Sequence, residues 1–403
     1  MLRHRLIAAA AGLAVVCAPA FGQAQRFHQQ FNAVLAQHGI VGGAVAIVRR
    51  GQPATEFFYG VQKQGTPQAI DAETTYNWAS ITKTMTAIAI LQLRDRGQLK
   101  LDDAAVKYVP ELRAVHDGFG PVEAITIRDL LTHSAGFRNP TWPWNCDDAA
   151  NCDWQPFEPT RWGQVAAMLP YTNVAFRPGT RWSYSNLGYV FLGQVIERLT
   201  DQSFVEYLTK NILMPLGMTR SYFDQSPYYL ERQVSASYVR AGGKLAAQPF
   251  DFDTGITTSN SGLKAPMVDM EKYLRFLIGD GGDAEVLQRS SLEEAWRGIL
   301  PVTEDGTSEG PYVEGQPRMG LGFFLLDGKG RRYVYHDGDQ GGFSSEMIFD
   351  PERGVGSLLM VNTTDEGVPA TGVPHAEPNS APDAGTDLRL VLRRELMEEV
   401  FAE

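Results

Sequence analysis

The stretch Trp78-Ala79-Ser80-Ile81-Thr82-Lys83-Thr84-Met85 places a serine three residues before a lysine, at the start of a long apolar run from Ala87 to Leu93. The pattern predicts a helix from about Ser80 to Arg96, closed by Gly97. Positions three apart share a helix face, so the Ser80 hydroxyl and the Lys83 amine can meet. Ile81, Met85, Ala87, Ile88, Ala89, Ile90, Leu91 and Leu93 make this helix apolar nearly all round, which argues for burial. Burial disfavours a charged amine and turns Lys83 into a candidate proton acceptor near neutral pH. A serine at a helix N-terminus also meets free N–H groups and the positive end of the dipole. One helical turn thus offers a nucleophile, a base and half of an oxyanion site. The spacing alone is weak, because Ser261-Gly262-Leu263-Lys264 repeats it. That copy contains glycine, precedes Pro266 and reads as a turn.

The chain of 403 residues is 43% hydrophobic and 21% charged, enough for one large or two moderate cores. Its first 24 residues read as a secretory signal: Arg3 and Arg5, an apolar run from Leu6 to Ala20, and small residues for cleavage after Ala24. Removing them takes away two positive charges and no acids, so the formal charge goes from −11 to −13. An acidic exported protein is a poor partner for nucleic acid or an anionic membrane. No later run is long and apolar enough to span a bilayer, so a transmembrane protein is not expected. After cleavage Cys146 and Cys152 remain, six apart in a loop, and in an oxidising compartment they read as a disulfide. The histidines are scattered singly, so no metal constellation is expected.

Gln25–His38 reads as an amphipathic helix. Val41–Val48 and Glu56–Val61 read as a hairpin around Arg50-Gly51. From Asp102 to about Phe250, short helices alternate with loops rich in Pro, Gly and Trp, predicting a mainly helical insert over residues 102–250. Strand pattern returns at Gly320–Leu326, Arg332–His336, Glu346–Phe349 and Gly356–Asn362, with short turns that imply antiparallel pairing. Thr364–Asp383 reads as a loop and Leu388–Phe401 as a terminal amphipathic helix. Residues 25–101 and 251–403 are therefore expected to build an α/β lobe beside the helical one, with a ligand cleft between.

Two further stretches carry chemistry. Pro178-Gly179-Thr180-Arg181-Trp182-Ser183-Tyr184-Ser185-Asn186 is a turn leading into a helix. It offers the Tyr184 phenol as a proton relay, provided that Lys83 lowers its pKa, and the Asn186 amide as a donor to substrate and a holder of Lys83. Tyr171-Thr172-Asn173 repeats this spacing too. His336-Asp337-Gly338-Asp339-Gln340-Gly341-Gly342-Phe343 is read as the end of a strand and the start of a turn. There Gly338 allows close backbone approach, Asp339 offers an N–H to an oxyanion, and His336 can orient or protonate.

In this order, Ser-x-x-Lys, Tyr-Ser-Asn and His-x-Gly resemble the penicillin-recognising serine hydrolases, in the branch of class C β-lactamases, DD-carboxypeptidases and family VIII esterases. Leu130-Leu131-Thr132-His133-Ser134-Ala135-Gly136, Met214-Pro215-Leu216-Gly217-Met218 and Gly341-Gly342-Phe343-Ser344-Ser345 are similar to the same family. The resemblance covers nearly all of the mature chain. It implies an α+β fold of the β-lactamase/transpeptidase type: an antiparallel sheet flanked by N- and C-terminal helices, a mainly helical lobe, and the active site between them. It implies Ser80 as acylated nucleophile, Lys83 as its base, Tyr184 as proton relay, Asn186, His336 and Gly338 as substrate-binding, and the N–H groups of Ser80 and Asp339 as oxyanion hole. It places His133 in a structural loop outside the site, and it implies no cofactor. The third motif departs from the Lys-Thr-Gly common in lactamases. Asp337 would repel a substrate carboxylate, which weakens the case for penicillins and for peptides with a free C-terminus. The Trp-rich insert over 141–163 either roofs the cleft or packs locally. The expectation is a periplasmic or secreted serine hydrolase acting on an ester or amide, peptidase or esterase in type, with a small-molecule or peptide substrate that can be peptidoglycan-derived. The alternatives are a true class C-like β-lactamase and a non-catalytic member binding peptidoglycan or a partner.

Overall fold

Gly42–Arg49 (β1) consists almost wholly of small and β-branched apolar residues, so it can be buried on both faces. In the computed structural model it is: Ala44, Ala46 and Val48 enter one hydrophobic core, Val45 and Ile47 another. That is the two-residue period of a strand with a core on each side. The structure describes residues 18–137, 159–248, 254–281, 283–302, 317–328, 330–365, 392, 393 and 396, with side chains from residue 25 onward except at 283, 284 and 328. Cys17, Cys146, Cys152, Trp142-Pro143-Trp144, most of the predicted leader and the loop after Asp365 lie outside the described residues.

β1 is an interior strand, next to the edge, of an eight-stranded antiparallel sheet. In chain order the others are β2 (Thr55–Gly60), β3 (Leu300–Pro301), β4 (Arg318–Met319), β5 (Phe324–Gly328), β6 (Arg331–Gln340), β7 (Phe343–Asp350) and β8 (Val355–Val361). They lie in the order β3-β4-β5-β6-β7-β8-β1-β2. The predicted first hairpin and late strands thus form one sheet, with β1 paired to β8 from Gly43↔Val361 to Arg49↔Val355. Helix α1 (Ala18–Gln37) covers one face through Phe27, Phe31 and Leu35, together with Leu392 and Leu396 of the chain's end. The other face meets helix α2 (Thr82–Asp95), helix α3 (Asn186–Thr200) and helix α4 (Met267–Leu277), which packs on β1 and β8.

Two sequence expectations need correction. β6 does not end at His336; it runs to Gln340, so His336-Asp337-Gly338 lies inside a strand and the turn is Gly341-Gly342, both at positive φ. Asp and Gly are depleted in strands, which hid this end; pairing with β7, from Val334↔Phe349 to Gln340↔Phe343, overrides that preference. Residues 102–250 also contain more than helices and loops. Ser237–Ala241 and Lys244–Gln248 form a hairpin, extended in parallel by Thr363–Asp365.

One ion pair inside the sheet layer has its side chains at only 8% and 1% exposure, Arg393 with Glu346. The Arg393 guanidinium also lies 4.8 Å over the Tyr335 ring. Removing one partner of such a pair strands the other charge, at a cost of about 3–5 kcal/mol. Arg393→Met should lower the unfolding free energy by that amount, read as a lower urea midpoint at unchanged m-value. Adding Glu346→Gln should recover most of the loss.

Candidate active site

The site begins with the segment before α2. Thr75–Asn77 pairs antiparallel with Lys264–Pro266, which fixes the chain entering Trp78. The fully buried Trp78 donates its Nε1–H to the Ala265 carbonyl at 2.9 Å and its backbone N–H to that of Leu263 at 2.9 Å. Ala79 then adopts φ +47°, a left-handed conformation that non-glycine residues seldom take. Its N–H is held by Asn77 Oδ1 at 2.8 Å, and its carbonyl accepts from Thr82 Oγ1 at 2.6 Å. The chain turns sharply there, and Ser80 follows in a short 3₁₀ turn that leads into α2.

Lys83 is fully buried, and its Nζ lies 2.9 Å from Ser80 Oγ and 2.9 Å from the Asn260 carbonyl. Burial holds the amine well below its ordinary pKa; the Asp337 carboxylate opposes this by pulling it up. A neutral amine has two hydrogens and one lone pair. It can donate to the Asn260 carbonyl and accept from the Ser80 hydroxyl, which is the geometry a base needs.

Tyr184 is buried, and its hydroxyl is hydrogen-bonded to Ser80. Lys83 Nζ stands over its ring, 4.9 Å from the centroid. The expectation that Lys83 lowers the phenol pKa is wrong. Burial pushes it up, the Ser80 bond lowers it, and Asp337 and Asp339 push it further up. Tyr184 is therefore a neutral phenol. It can pass on a proton, but it does not stand ready as a phenolate base.

β6 passes beside the serine. A Cβ added to Gly338 would fall 2.5 Å from the Trp78 carbonyl oxygen and 2.8 Å from the Ser80 nitrogen, so only glycine fits. Ser345 Oγ ties the two segments by donating toward the Trp78 carbonyl at 3.2 Å and the Gly338 carbonyl at 3.1 Å. Pairing with β5 ends at Phe324↔Tyr335, so among the described residues His336–Gln340 presents an open strand edge at the cleft. Alternation puts Val334, His336 and Gly338 on the α2 face, and Tyr335, Asp337 and Asp339 on the other. His336 is fully buried and its pKa is pushed down to about 3, by burial and then by Lys83. Its Nδ1 lies 2.6 Å from the Asp337 carbonyl, which can only accept, so Nδ1 carries the proton. A neutral imidazole in that tautomer orients the strand, and the suggestion that His336 protonates a substrate is not supported.

The remaining predicted residues fall nearby. Asn186 opens α3, whose first turn is capped by Ser185 Oγ accepting from the Gly188 N–H at 3.1 Å. Asp339 is half-buried one position beyond Gly338. The two repeated spacings separate cleanly. Tyr171 is 74% exposed, whereas Lys264 is buried with its amine on the Asp224 carbonyl. Ser261–Lys264 is not the turn the sequence suggested: Ser261 ends the helix Thr258–Ser261 and Lys264 lies in the strand Leu263–Pro266, while Asn260 of that helix supplies the second acceptor of Lys83. No sequence signal marked Asn260, because a backbone carbonyl carries none. His133, set aside in the sequence, lies against Tyr184 with ring centroids 4.4 Å apart. Among the described residues no group of three His, Cys, Asp or Glu side chains is arranged to hold a metal, and no helix is long and apolar enough to cross a membrane.

An α+β fold whose antiparallel sheet is covered by helices on both faces, with a buried serine–lysine–tyrosine cluster beside the open end of β6, defines a β-lactamase/transpeptidase-like protein. The sequence pattern of the Beta-lactamase family matches residues 26–377, and the chain belongs to that family. It is similar to the curated "Protein flp" of Staphylococcus aureus (strain COL), 26% identical over 330 residues, 82% of this chain and 61% of that protein. The chain thus spans 61% of the length of that curated relative. Among solved structures it is similar to an octameric penicillin-binding protein homologue from Pyrococcus abyssi: TM-score 0.73, 28% identity, 84% of this chain and 73% of that one. A class C β-lactamase superposes with a TM-score of 0.71 at 17% identity over 96% of this chain and 98% of its own, a likeness of fold.

The crowding at Gly338 is testable without any substrate. In Gly338→Ala the two nearest of the three clashing atoms are backbone, the third being Ser345 Oγ at 2.9 Å, so the strand or the serine turn must shift, at a cost of about 1–3 kcal/mol. The melting temperature should fall, and labelling of Ser80 by a fluorophosphonate, followed by mass spectrometry, should slow markedly.

Proposed function

We propose that the chain is a serine hydrolase that forms an acyl-enzyme on Ser80 from an ester or amide substrate. The carrying observation is the buried Lys83 amine 2.9 Å from Ser80 Oγ. As Ser80 Oγ attacks the carbonyl carbon, Lys83 takes its proton. The oxygen of the tetrahedral intermediate gathers toward the N–H groups of Ser80 and Asp339. Tyr184 passes its proton to the leaving nitrogen or oxygen as that bond breaks, and regains one from Lys83. Water then attacks the ester carbonyl by the same relay in reverse, and Ser80 leaves with its proton restored. Asn186 and the edge of β6 from His336 to Asp339 hold the substrate. A binding-only role has no use for a desolvated lysine, which costs stability without compensation unless it acts.

Asp337 decides the ranking of substrates. It stands where a hydroxyl residue would meet a substrate carboxylate, and its charge is felt by both Lys83 and Tyr184. Neutral esters and amides, including peptidoglycan-derived amides without a nearby carboxylate, therefore rank ahead of penicillins. The leader-like N-terminus supports export to the periplasm or beyond.

A chromogenic short-chain ester, a chromogenic cephalosporin and a D-Ala-D-Ala peptide, each with Ser80→Ala in parallel, test this. The ester should be cleaved, and Ser80→Ala should lose about 10⁴-fold or more in kcat. Activity surviving in Ser80→Ala would sink the mechanism; efficient turnover of the cephalosporin alone would sink the ranking.

A pH profile tests the base. Activity needs neutral Lys83, so kcat/KM should rise with pH through the Lys83 pKa, well below 10.5. Asp337 raises that pKa, so Asp337→Asn should move the rising limb to lower pH. The same variant should bind anionic substrates better. A limb that stays in place removes Asp337 from the electrostatics of the site.

A further inference from the structure

We propose that His133 is the positioning residue that sets Tyr184 against Ser80; the inference rests on the acyl-enzyme reading above. Three grips come from this one residue. Its carbonyl accepts the Ser183 N–H at 2.8 Å. Its Nδ1 accepts the Ser185 N–H at 3.1 Å. Its ring lies against the Tyr184 ring, centroids 4.4 Å apart and planes 31° from parallel. Both chain neighbours of Tyr184 and the phenol ring itself are thus fixed from one side. Trp182 packs near both rings, 6.4 Å from that of Tyr184 and 6.3 Å from that of His133, and the Lys83 amine stands 4.9 Å from the phenol centroid.

The clamp is itself held. His133 follows the short helix Ile127–Leu131, whose start is locked by a reciprocal pair of bonds between Thr126 and Asp129. Asp129 also accepts from Ser134 Oγ at 3.0 Å, and Ser134 shares a hydrogen bond of 2.8 Å with Thr132 Oγ1. His133 sits between these two hydroxyls at φ +55°, a conformation that most side chains avoid. That backbone turns its carbonyl and its ring toward the same three residues of the Tyr184 segment.

The tautomer follows from the geometry. A backbone N–H can only donate, so Nδ1 is bare and Nε2 carries the proton. Protonation of Nδ1 would set two donors face to face at Ser185 and open the clamp. The surroundings disfavour it: the ring is buried, Lys83 and His336 approach it, and both add to the burial that holds its pKa well below 6.5. Among the described residues His133 makes no hydrogen bond to Ser80 or Lys83, and its grips fall on Ser183, Tyr184 and Ser185, so the effect on the reaction is assigned to Tyr184. A histidine that merely fills the core would stabilise the fold equally whether or not residue 184 carries a hydroxyl.

That difference is the test. His133→Leu, His133→Asn and Tyr184→Phe, and the His133→Leu/Tyr184→Phe double variant, are assayed for ester hydrolysis, for the rate of fluorophosphonate labelling at Ser80, and for melting temperature. His133→Leu removes the acceptor and should lower kcat by roughly 10–100-fold, with KM within about twofold. His133→Asn keeps an acceptor near the Nδ1 position and tolerates positive φ, so it should retain most of the activity. In the Tyr184→Phe background His133→Leu should cost little more, less than about twofold. Losses that multiply in the double variant, or equal losses in folded Asn and Leu variants, would overturn the proposal. If His133→Leu does not fold, His133→Gln replaces it, since its longer amide misses the Nδ1 position. Should the wild-type protein cleave no substrate, the hydrolase reading falls while the labelling cycle still decides the role of His133. Absence of labelling at Ser80 would overturn both.

Discussion

A lysine amine shut away from water is the constraint on which the rest of the structure depends. Lys83 has no exposed surface, and desolvation is the largest influence on its protonation. That condition requires an α2 helix that is apolar on every side, a sheet at its back and a helical layer in front. It also explains the company that Lys83 keeps. His133 and His336 are buried neutral imidazoles, and Tyr184 is a neutral phenol. Cationic histidines beside it would push its proton off at a further cost in solvation, while Asp337 adds a counter-charge that keeps the amine within reach of protonation. A neutral base surrounded by neutral hydrogen-bonding groups can take a proton and hand it on without water intervening.

The second constraint is steric. The turn at Ser80, the strand β6 and the segment around Leu263 meet at backbone distance, and each contact has a backbone atom on at least one side, which a sequence does not display. Gly338 leaves room for the Ser80 nitrogen, Ser345 joins Trp78 to Gly338, and the carbonyls of Asn260, Leu263 and Ala265 receive Lys83 and Trp78. Ala79 bears the strain of the turn at φ +47° because hydrogen bonds on both sides of it leave no alternative path. The geometry around Ser80 is therefore fixed by rigid elements on three sides, and Tyr184 arrives from the fourth on a segment whose neighbours Ser183 and Ser185 donate to His133.

Much of this was legible in the sequence. The helix after Trp78, its stop at Gly97 and its all-round apolarity were plain from residue type, and so were the first hairpin and the late antiparallel strands. What stayed hidden has identifiable causes. The last third of β6 reads as a turn because Asp337, Gly338 and Asp339 are poor strand formers, yet the ladder with β7 holds them. The hairpin from Ser237 to Gln248 carries few large apolar residues, so its pattern is faint. His133 looked like loop furniture, since nothing in Thr-His-Ser reveals a ring stacked on a tyrosine about fifty residues away.

By itself the sequence determined which helix brings serine and lysine together, because a three-residue spacing on a helix is a local geometric fact. It did not determine their protonation. Whether Lys83 is neutral and Tyr184 remains a phenol depends on how completely water is excluded and on which distant carboxylates face them. Those are sums over the whole packed molecule. Tertiary structure also gave the two Ser-x-x-Lys spacings their different fates, burying one pair hand in hand and dividing the other between a helix end and a strand. Local sequence sets what a residue can do; the surrounding dielectric and backbone, assembled from afar, set what it does.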